Sequence, residues 1–192
     1  MISLNTTQSK ILKIIINKYP ELIDLANTFN KEKINWAIAA GSAYSIYSNQ
    51  TDIDDVDIWI SAENKNQIGK ILNKPWVKNK SDRHEALNIT HKSLDLFTNC
   101  IKTKNGNQVL DYVWTHSVST HLRTIQIDNV NYKVLSPEDI VLLKVANPRS
   151  DKEIKQISTL IRKPFFQNKY FQLRLKECAT ASEVYEQLKN IK

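Results

Sequence analysis

The chain opens with a helical pattern of apolar positions. Across residues 7–29 the apolar side chains recur three and four residues apart, which is the spacing of one face of an α-helix. Pro20 interrupts this stretch, because a proline inside a helix removes a backbone hydrogen bond and clashes with the preceding turn. We therefore predict two consecutive helices whose apolar faces pack on the rest of the protein.

Shorter apolar runs follow, with the length and alternation of β-strands. Residues 36–40 and 56–60 are predicted to be two buried strands, with Gly41-Ser42 opening a turn between them. Polar and apolar residues alternate through residues 86–98 and again through residues 124–135, in each case on both sides of a short polar turn. That pattern predicts two hairpins.

Helices are predicted again in the C-terminal part. Ser136 has the position of an N-cap, Pro137 that of a first helical residue, and Glu138 and Asp139 place negative charge in the first turn. Apolar positions recur at helical spacing beyond this start. The predicted helices span residues 137–146, 151–161, 170–178 and 182–188, and shorter helical pieces are expected over residues 64–72 and 109–114.

Composition limits the function without choosing it. The 192 residues carry a net charge of +7 with a pI near 9.3, which suits a polyanionic partner, although the basic residues are scattered. Cys100 and Cys178 have neither metal-ligand spacing nor a disulfide framework. The sequence has no secretory signal pattern and no apolar run of transmembrane length, so we expect a cytoplasmic protein without a membrane partner.

Two carboxylates accompany the predicted strand of residues 56–60. Asp55 and Asp57 are two residues apart, so they project from the same face of an extended chain. Such close carboxylates repel each other unless they share a cation, and Mg²⁺ prefers oxygen ligands of this kind. Asp52 and Asp54 form a second candidate pair, and a solvated acidic loop is the simpler interpretation. The alternation that continues through the strand favours Asp55 and Asp57.

A third carboxylate and a Gly-Ser pair complete the predicted chemistry. Asp95 lies between two leucines in the first hairpin, where it either faces solvent or has a function. Asp55, Asp57 and Asp95 are enough to ligate two Mg²⁺ ions, or Mn²⁺ in their place, with Asp95 also helping as a base. Gly41 lets phosphate oxygens approach the backbone, and Ser42 offers them a hydroxyl and an N–H group.

These residues together resemble a known signature. The string GSAYSIYSNQTDIDDVDIWI is similar to that of the polymerase-β-type nucleotidyltransferases: Gly-Ser, a spacer, then Asp-hydrophobic-Asp. Asp95 in SLDLFT resembles their third carboxylate. The stretch SPEDIVLLKVANPRSDKEIKQISTLI resembles the helical motif of the AbiEii-like branch, in which a helix-borne lysine precedes an Arg and an Asp. The likeness covers about residues 34–162.

The resemblance implies an α/β (α+β) nucleotidyltransferase fold: a small mixed sheet flanked by helices, with a helical C-terminal part. The implied division is N-terminal helices over residues 1–33, a core over 34–135 and a helical region over 136–192. It also implies that Gly41, Ser42, Lys144 and Arg149 bind the nucleotide, with Asp55, Asp57 and Asp95 as the catalytic metal ligands.

The function implied is Mg²⁺-dependent transfer of a nucleoside monophosphate from ATP or another nucleoside triphosphate to a hydroxyl of RNA, tRNA or a protein. The AbiEii-like branch further implies a toxin with an antitoxin partner. Two alternatives stay open: an enzyme that modifies lincosamide or aminoglycoside antibiotics, and a non-catalytic nucleotide-binding module. The module is an alternative because Asn49-Gln50 occupies the place where many relatives carry an arginine before the acidic motif.

Overall fold

A mixed β-sheet of eight strands lies at the centre of the computed structural model, which describes residues 6–81, 84–104, 107–145 and 150–178. The strands are β1 (Trp36–Ile38), β2 (Val56–Ile60), β3 (Val77–Lys80), β4 (His84–His91), β5 (Leu94–Lys104), β6 (Asn107–Tyr112), β7 (Arg123–Ile127) and β8 (Val130–Val134). Their spatial order is β3-β4-β5-β2-β1-β8-β7, and β6 pairs with the far half of β5. Because β5 is the longest strand, it joins three neighbours.

Eight α-helices of the described residues surround the sheet. They are α1 (Thr6–Lys18), α2 (Glu21–Lys31), α3 (Ala40–Ser48), α4 (Lys65–Leu72), α5 (His116–His121), α6 (Pro137–Val145), α7 (Asp151–Ile161) and α8 (Asn168–Cys178). Helix α3 follows β1 directly, so its first turn lies at the end of a central strand. Within the described ranges, no helix combines the length and apolarity that a membrane crossing requires.

The pairing of β2 with β5 decides which side chains meet. These two strands run parallel, whereas β2 and β5 are antiparallel to β1 and β4 respectively. On one face, the alternate apolar residues of both strands are completely buried: Val56, Ile58, Ile60, Leu94 and Leu96. The opposite face carries Asp57 and Trp59 beside Asp95 and Phe97, which are their partners in register. The apolar face anchors the strands, and the other face carries the two aspartates followed by two aromatic side chains.

The predicted helix–strand pattern is largely confirmed. Pro20 separates α1 from α2, both predicted hairpins form, and the helices after residues 136 and 150 are present. Residues 41 and 42 differ from the expected turn, because they lie in the first turn of α3. The predicted helix over residues 182–188 lies outside the described residues.

The short helix predicted over residues 109–114 is wrong. Residues 107–112 form β6 instead, antiparallel to the far half of β5, with Cys100 opposite Tyr112. Local apolar spacing could not decide this segment, since strand formation depends on a neighbouring strand that offers hydrogen bonds and a packing surface. Strand β3 was not predicted at all, because its four residues are exposed and carry no apolar alternation.

A buried ionic network joins α6 to the C-terminal helix α8. Asp139 of α6 accepts hydrogen bonds from Arg174 Nε at 2.8 Å, from Tyr170 Oη at 2.7 Å and from Tyr112 Oη at 2.8 Å. Asp139 is 1% exposed, and Arg174 is completely buried. Ser136 caps α6 by accepting the Asp139 N–H, as the sequence indicates. The network fixes α6 against β6 and α8.

We expect Arg174→Ala to lower the free energy of unfolding by about 3–5 kcal/mol, because it leaves the buried Asp139 carboxylate without its cation. Urea titration followed by circular dichroism measures this change. The exposed pair Lys78–Glu85 supplies the control, and Lys78→Ala is expected to change stability little. If both variants unfold at the same urea concentration, the buried pair does not hold α8 in place.

Candidate active site

The start of helix α3 lies beside the Asp57 carboxylate. Strand β1 ends at Ile38, and Ala40 adopts a left-handed conformation (φ 42°), a rare and strained state for a residue with a side chain. The Gly41 N–H lies close enough to the Asp57 carboxylate to lower its pKa. The Ala39 N–H, just before the helix, donates to the Asp57 carbonyl at 2.9 Å and joins the start of α3 to strand β2.

Gly41 and Ser42, the predicted phosphate-binding pair, lie in this turn with different surroundings. A Cβ atom built on Gly41 would meet nothing within 4 Å, so the backbone there faces open space. The Ser42 side chain is completely buried, and its hydroxyl donates to the Ala39 carbonyl at 2.9 Å. The open face at Gly41 suits a close approach by phosphate oxygens. The Ser42 hydroxyl instead stabilises the start of the helix.

Asp57 and Asp95 are direct neighbours on parallel strands. They are partners in register between β2 and β5, and adjacent strands lie about 4.8 Å apart. Asp95 accepts a hydrogen bond from Thr90 Oγ1 at 2.8 Å, which fixes one carboxylate oxygen. Asp55 lies one residue before β2 and is exposed. The three aspartates singled out by the sequence therefore meet at one end of two strands.

The electrostatics of Asp57 reflect this crowding. Burial, together with the negative charges of Asp55 and Asp95, raises the pKa of Asp57 from the ordinary value of 3.8 to about 7. The Gly41 N–H and the Lys144 ammonium act in the opposite direction on the same pKa. In the absence of a ligand, this carboxyl group thus holds its proton to near-neutral pH.

The three aspartates line a cavity of about 390 Å³. Its floor is formed by β2, β5, β4 and β3, on the face of the sheet that carries Asp57 and Asp95. Its cover is formed by Ile140, Leu143 and Lys144 of α6 and by Glu153 of α7. The polar floor residues outside the aspartates are Asn79, His84, Asn88 and Lys102. A volume of this size suits a ligand as large as a nucleotide.

Lys144 reaches this cavity from α6 and is partly neutralised there. Its Nζ lies 3.6 Å from Glu153 Oε1, and its side chain is 11% exposed. Burial lowers the pKa of Lys144, whereas Glu153 and Asp57 act to raise it. The sequence resemblance pointed to Lys144 and Arg149; Arg149 lies outside the described residues.

Sequence reasoning missed the far part of the cavity. Asn79, Asn88 and Lys102 come from three strands, and Glu153 comes from a helix that the sequence shows only as amphipathic. The available signal was the polar alternation of residues 84–91, which indicates that one side of the strand is polar but does not indicate which elements lie opposite that side. The convergence of these residues depends on the strand order, which no local pattern reveals.

No family model matches the sequence, and no curated protein is significantly similar to it. Among solved structures, the chain is similar to a protein of Thermotoga maritima described as a candidate nucleotidyltransferase. The identity is 14%, the TM-score is 0.51, and the match covers 76% of this chain and 96% of that one. The chain has the nucleotidyltransferase fold.

Two further structures match with lower scores. The lincosamide antibiotic adenylyltransferase LnuA with bound lincomycin has 12% identity and a TM-score of 0.47, over 75% of this chain and 96% of that one. An antigenic nucleotidyltransferase-like protein from Paracoccidioides brasiliensis has 18% identity and a TM-score of 0.39, over 92% of this chain and 89% of that one. The fold assignment rests on the Thermotoga match and on the mixed sheet with its flanking helices.

The nucleotidyltransferase fold raises the question of whether these residues fit a divalent cation. Among the described residues, no three His, Cys, Asp or Glu side chains converge closely enough to hold a metal ion by themselves. Mg²⁺ does not need such a cage, since it usually takes one or two carboxylates together with waters and substrate phosphates. The mutual repulsion of Asp55, Asp57 and Asp95 is what a cation would relieve, so the donor set fits Mg²⁺.

The raised pKa of Asp57 has a consequence for the stability of the metal-free protein. A carboxyl group with a raised folded-state pKa stabilises the fold at low pH, and this contribution is lost as the pH rises from about 4 to about 7. Asp57→Asn removes the titration. We therefore expect this variant to have a higher melting temperature than the unmodified chain at about pH 8 in EDTA, with a smaller difference at about pH 4.

Differential scanning calorimetry across this pH range measures the effect. The matched control is Asp54→Asn, which removes an exposed carboxylate from the loop before β2. It should keep the pH dependence of the unmodified chain. A melting temperature of Asp57→Asn that stays below that of the unmodified chain at every pH would show that the carboxylate is not under electrostatic strain.

Proposed function

We propose that this protein is a nucleotidyltransferase that moves a nucleoside monophosphate from a nucleoside triphosphate to a hydroxyl group of RNA, with release of pyrophosphate. The observation that carries this proposal is the in-register pair Asp57–Asp95, which lines one cavity together with Asp55 and lies beside the first turn of α3. Carboxylates forced together beside backbone that is open to phosphate suit phosphoryl transfer.

Binding of the triphosphate is assigned to residues of α3 and α6. The backbone at Gly41 faces open space at the N-terminal end of α3, where peptide N–H groups favour an anion. Lys144 lies across the cavity on α6 and supplies a positive charge. A bound triphosphate would compete with Glu153 for this ammonium group, because the present ion pair is long at 3.6 Å.

Asp55, Asp57 and Asp95 are the residues that would hold Mg²⁺ or Mn²⁺. When bound, the cation would neutralise phosphate charge in the ground state and in the transition state. Asp57 must be ionised for this role, and its Gly41 N–H contact already favours the ionised form. A bound cation would thus reduce the repulsion among the three carboxylates, and the carboxylates would in turn hold the cation.

Asp95 is assigned the role of the base that accepts the proton of the attacking hydroxyl. One of its oxygens accepts from Thr90 Oγ1, which orients the carboxylate. In the proposed reaction the acceptor oxygen bonds to the α-phosphorus, and the bond from that phosphorus to the pyrophosphate oxygen breaks. The bonding electron pair leaves with pyrophosphate, and the hydroxyl proton passes to Asp95.

The net charge of +7 supports RNA as the acceptor in preference to a protein, because a basic protein attracts a polyanion. The resemblance to the AbiEii-like branch adds the proposal of a toxin whose target is tRNA and whose activity an antitoxin partner restrains. Growth arrest on expression of the unmodified chain, absent for a variant that has lost transfer, is the expected cellular result.

Label transfer tests the proposed reaction. Each α-labelled nucleoside triphosphate is incubated with the protein, Mg²⁺ and a cell extract, and the label is followed into RNA, protein and small molecules. We expect label on RNA, and a loss of about a hundredfold or more in rate for Asp55→Asn/Asp57→Asn, which removes the charges that hold the phosphates. The matched control is Asp52→Asn/Asp54→Asn, which should keep the activity.

The other outcomes distinguish the alternatives. Label on a protein would move the acceptor to that class, and label only on an added lincosamide or aminoglycoside would make the protein an antibiotic-modifying enzyme. Absence of transfer, together with thermal stabilisation by nucleotide that needs neither Mg²⁺ nor Asp57, would identify a binding module and overturn catalysis.

A further inference from the structure

Strand β5 contains an extra residue at its midpoint. In its pairing with β4, Thr98 lies opposite Leu87 and Ile101 opposite Glu85, so three steps along β5 match two along β4. Asn99 has a left-handed backbone conformation (φ 53°) at this point. Such a β-bulge changes the direction of the side chains that follow it, and bulges are common beside functional sites.

The bulge decides which face receives Lys102. Before it, Asp95 and Phe97 line the cavity, while Leu94 and Leu96 point into the core. Strict alternation would place Lys102 with the leucines, because it is an even number of residues from Leu94. The extra residue instead turns Cys100 and Lys102 to the cavity face.

Lys102 lies at the end of the cavity away from the aspartates. It follows Asp95 by seven positions, one of which is taken up by the bulge, so about 20 Å of extended strand separates the two residues. His84 faces it across the strand pair, and both residues line the cavity. The two ends of the cavity therefore carry opposite charge: carboxylates at one end and an ammonium group at the other.

Lys102 also acts on the second lysine of the cavity. Its positive charge lowers the pKa of Lys144, after burial and against the opposing effect of Glu153. Two ammonium groups within electrostatic range of each other in one cavity are costly without an anion, just as the aspartates are without a cation. Glu153 Oε1 lies 3.6 Å from Lys144 Nζ, whereas among the described residues Lys102 forms no salt bridge with a carboxylate.

We propose that Lys102 is a phosphate-binding residue of the active cavity, turned into it by the Asn99 bulge. The inference rests on the proposed function, since it adds a second anion contact to the same site. The phosphate belongs either to the nucleoside triphosphate or to the backbone of the RNA acceptor. The distance from the aspartates favours the RNA backbone, because the reacting phosphates lie at the opposite end.

Two binding measurements separate these sources. Calorimetric titration of pyrophosphate with Mg²⁺ reports the nucleotide-derived phosphate, and fluorescence anisotropy of a labelled single-stranded oligoribonucleotide reports the acceptor phosphate. We expect Lys102→Ala to weaken one of them by about tenfold, the loss typical of one hydrogen bond to a charged group. For the oligoribonucleotide, the slope of log K against log salt should fall by about one phosphate contact.

Two further variants make the result specific. Lys102→Arg keeps the positive charge at the same place and should retain most of the affinity. Lys13→Ala removes an exposed lysine of α1 that does not line the cavity, and it should change neither measurement. Equal weakening by Lys13→Ala and Lys102→Ala would show a general charge effect and overturn the proposal.

The proposal and the proposed function can fail separately. If the unmodified chain transfers nucleotide and Lys102→Ala binds both pyrophosphate and RNA as tightly as the unmodified chain, only the role of Lys102 is wrong. If the unmodified chain transfers no label and binds neither probe, both are wrong. Weakened pyrophosphate binding with unchanged RNA binding would assign Lys102 to the nucleotide, and the reverse would assign it to the acceptor.

Discussion

The parallel pairing of β2 with β5 is the constraint on which the site depends. It sets Asp57 beside Asp95 in exact register, and it can do so only because the opposite face of the same strands is apolar and completely buried. The burial of Val56, Ile58 and Leu96 on that face stabilises the strands by roughly 1.5–3 kcal/mol per side chain. This burial offsets the repulsion between the two carboxylates.

A second ionic arrangement, in which the charges are paired within the protein, fixes α6, the helix that covers the cavity. Asp139 and Arg174 are buried together and share hydrogen bonds with two tyrosines, so their charges are matched within the protein. Among the described residues, the three aspartates of the cavity form no such salt bridge. Both arrangements meet on α6, because the helix that Asp139 fixes also carries Lys144 to the site. One helix therefore carries both a residue of the buried network and a cation of the cavity.

The sequence was most informative where the chemistry is local. Asp55 and Asp57 could be singled out because Val56, Ile58 and Ile60 continue an alternation past them, and Ser136-Pro137 marked the start of α6. It was uninformative where partners are distant in the chain. Nothing near Arg174 indicates that it meets Asp139, and β6 was mistaken for a helix because its partner strand was not considered. Strand order and the bulge at Asn99 are products of tertiary structure, so the basic end of the cavity was not foreseen.

The cavity carries opposite charges at its two ends, and this affects how a ligand with a cation and phosphates would bind. Because the pKa of Asp57 lies near 7, binding of a cation there at neutral pH would release a proton and would relieve the repulsion among the carboxylates. Lys144, within electrostatic range of Asp57, and Lys102, at the far end, would both gain from an anion, because the positive charge of Lys102 is unfavourable to Lys144. A ligand that carries both a cation and several phosphates meets both demands. A metal–phosphate ligand is therefore expected to bind more tightly than a neutral ligand of the same size, because only the charged ligand relieves the repulsion among the carboxylates and between the two lysines.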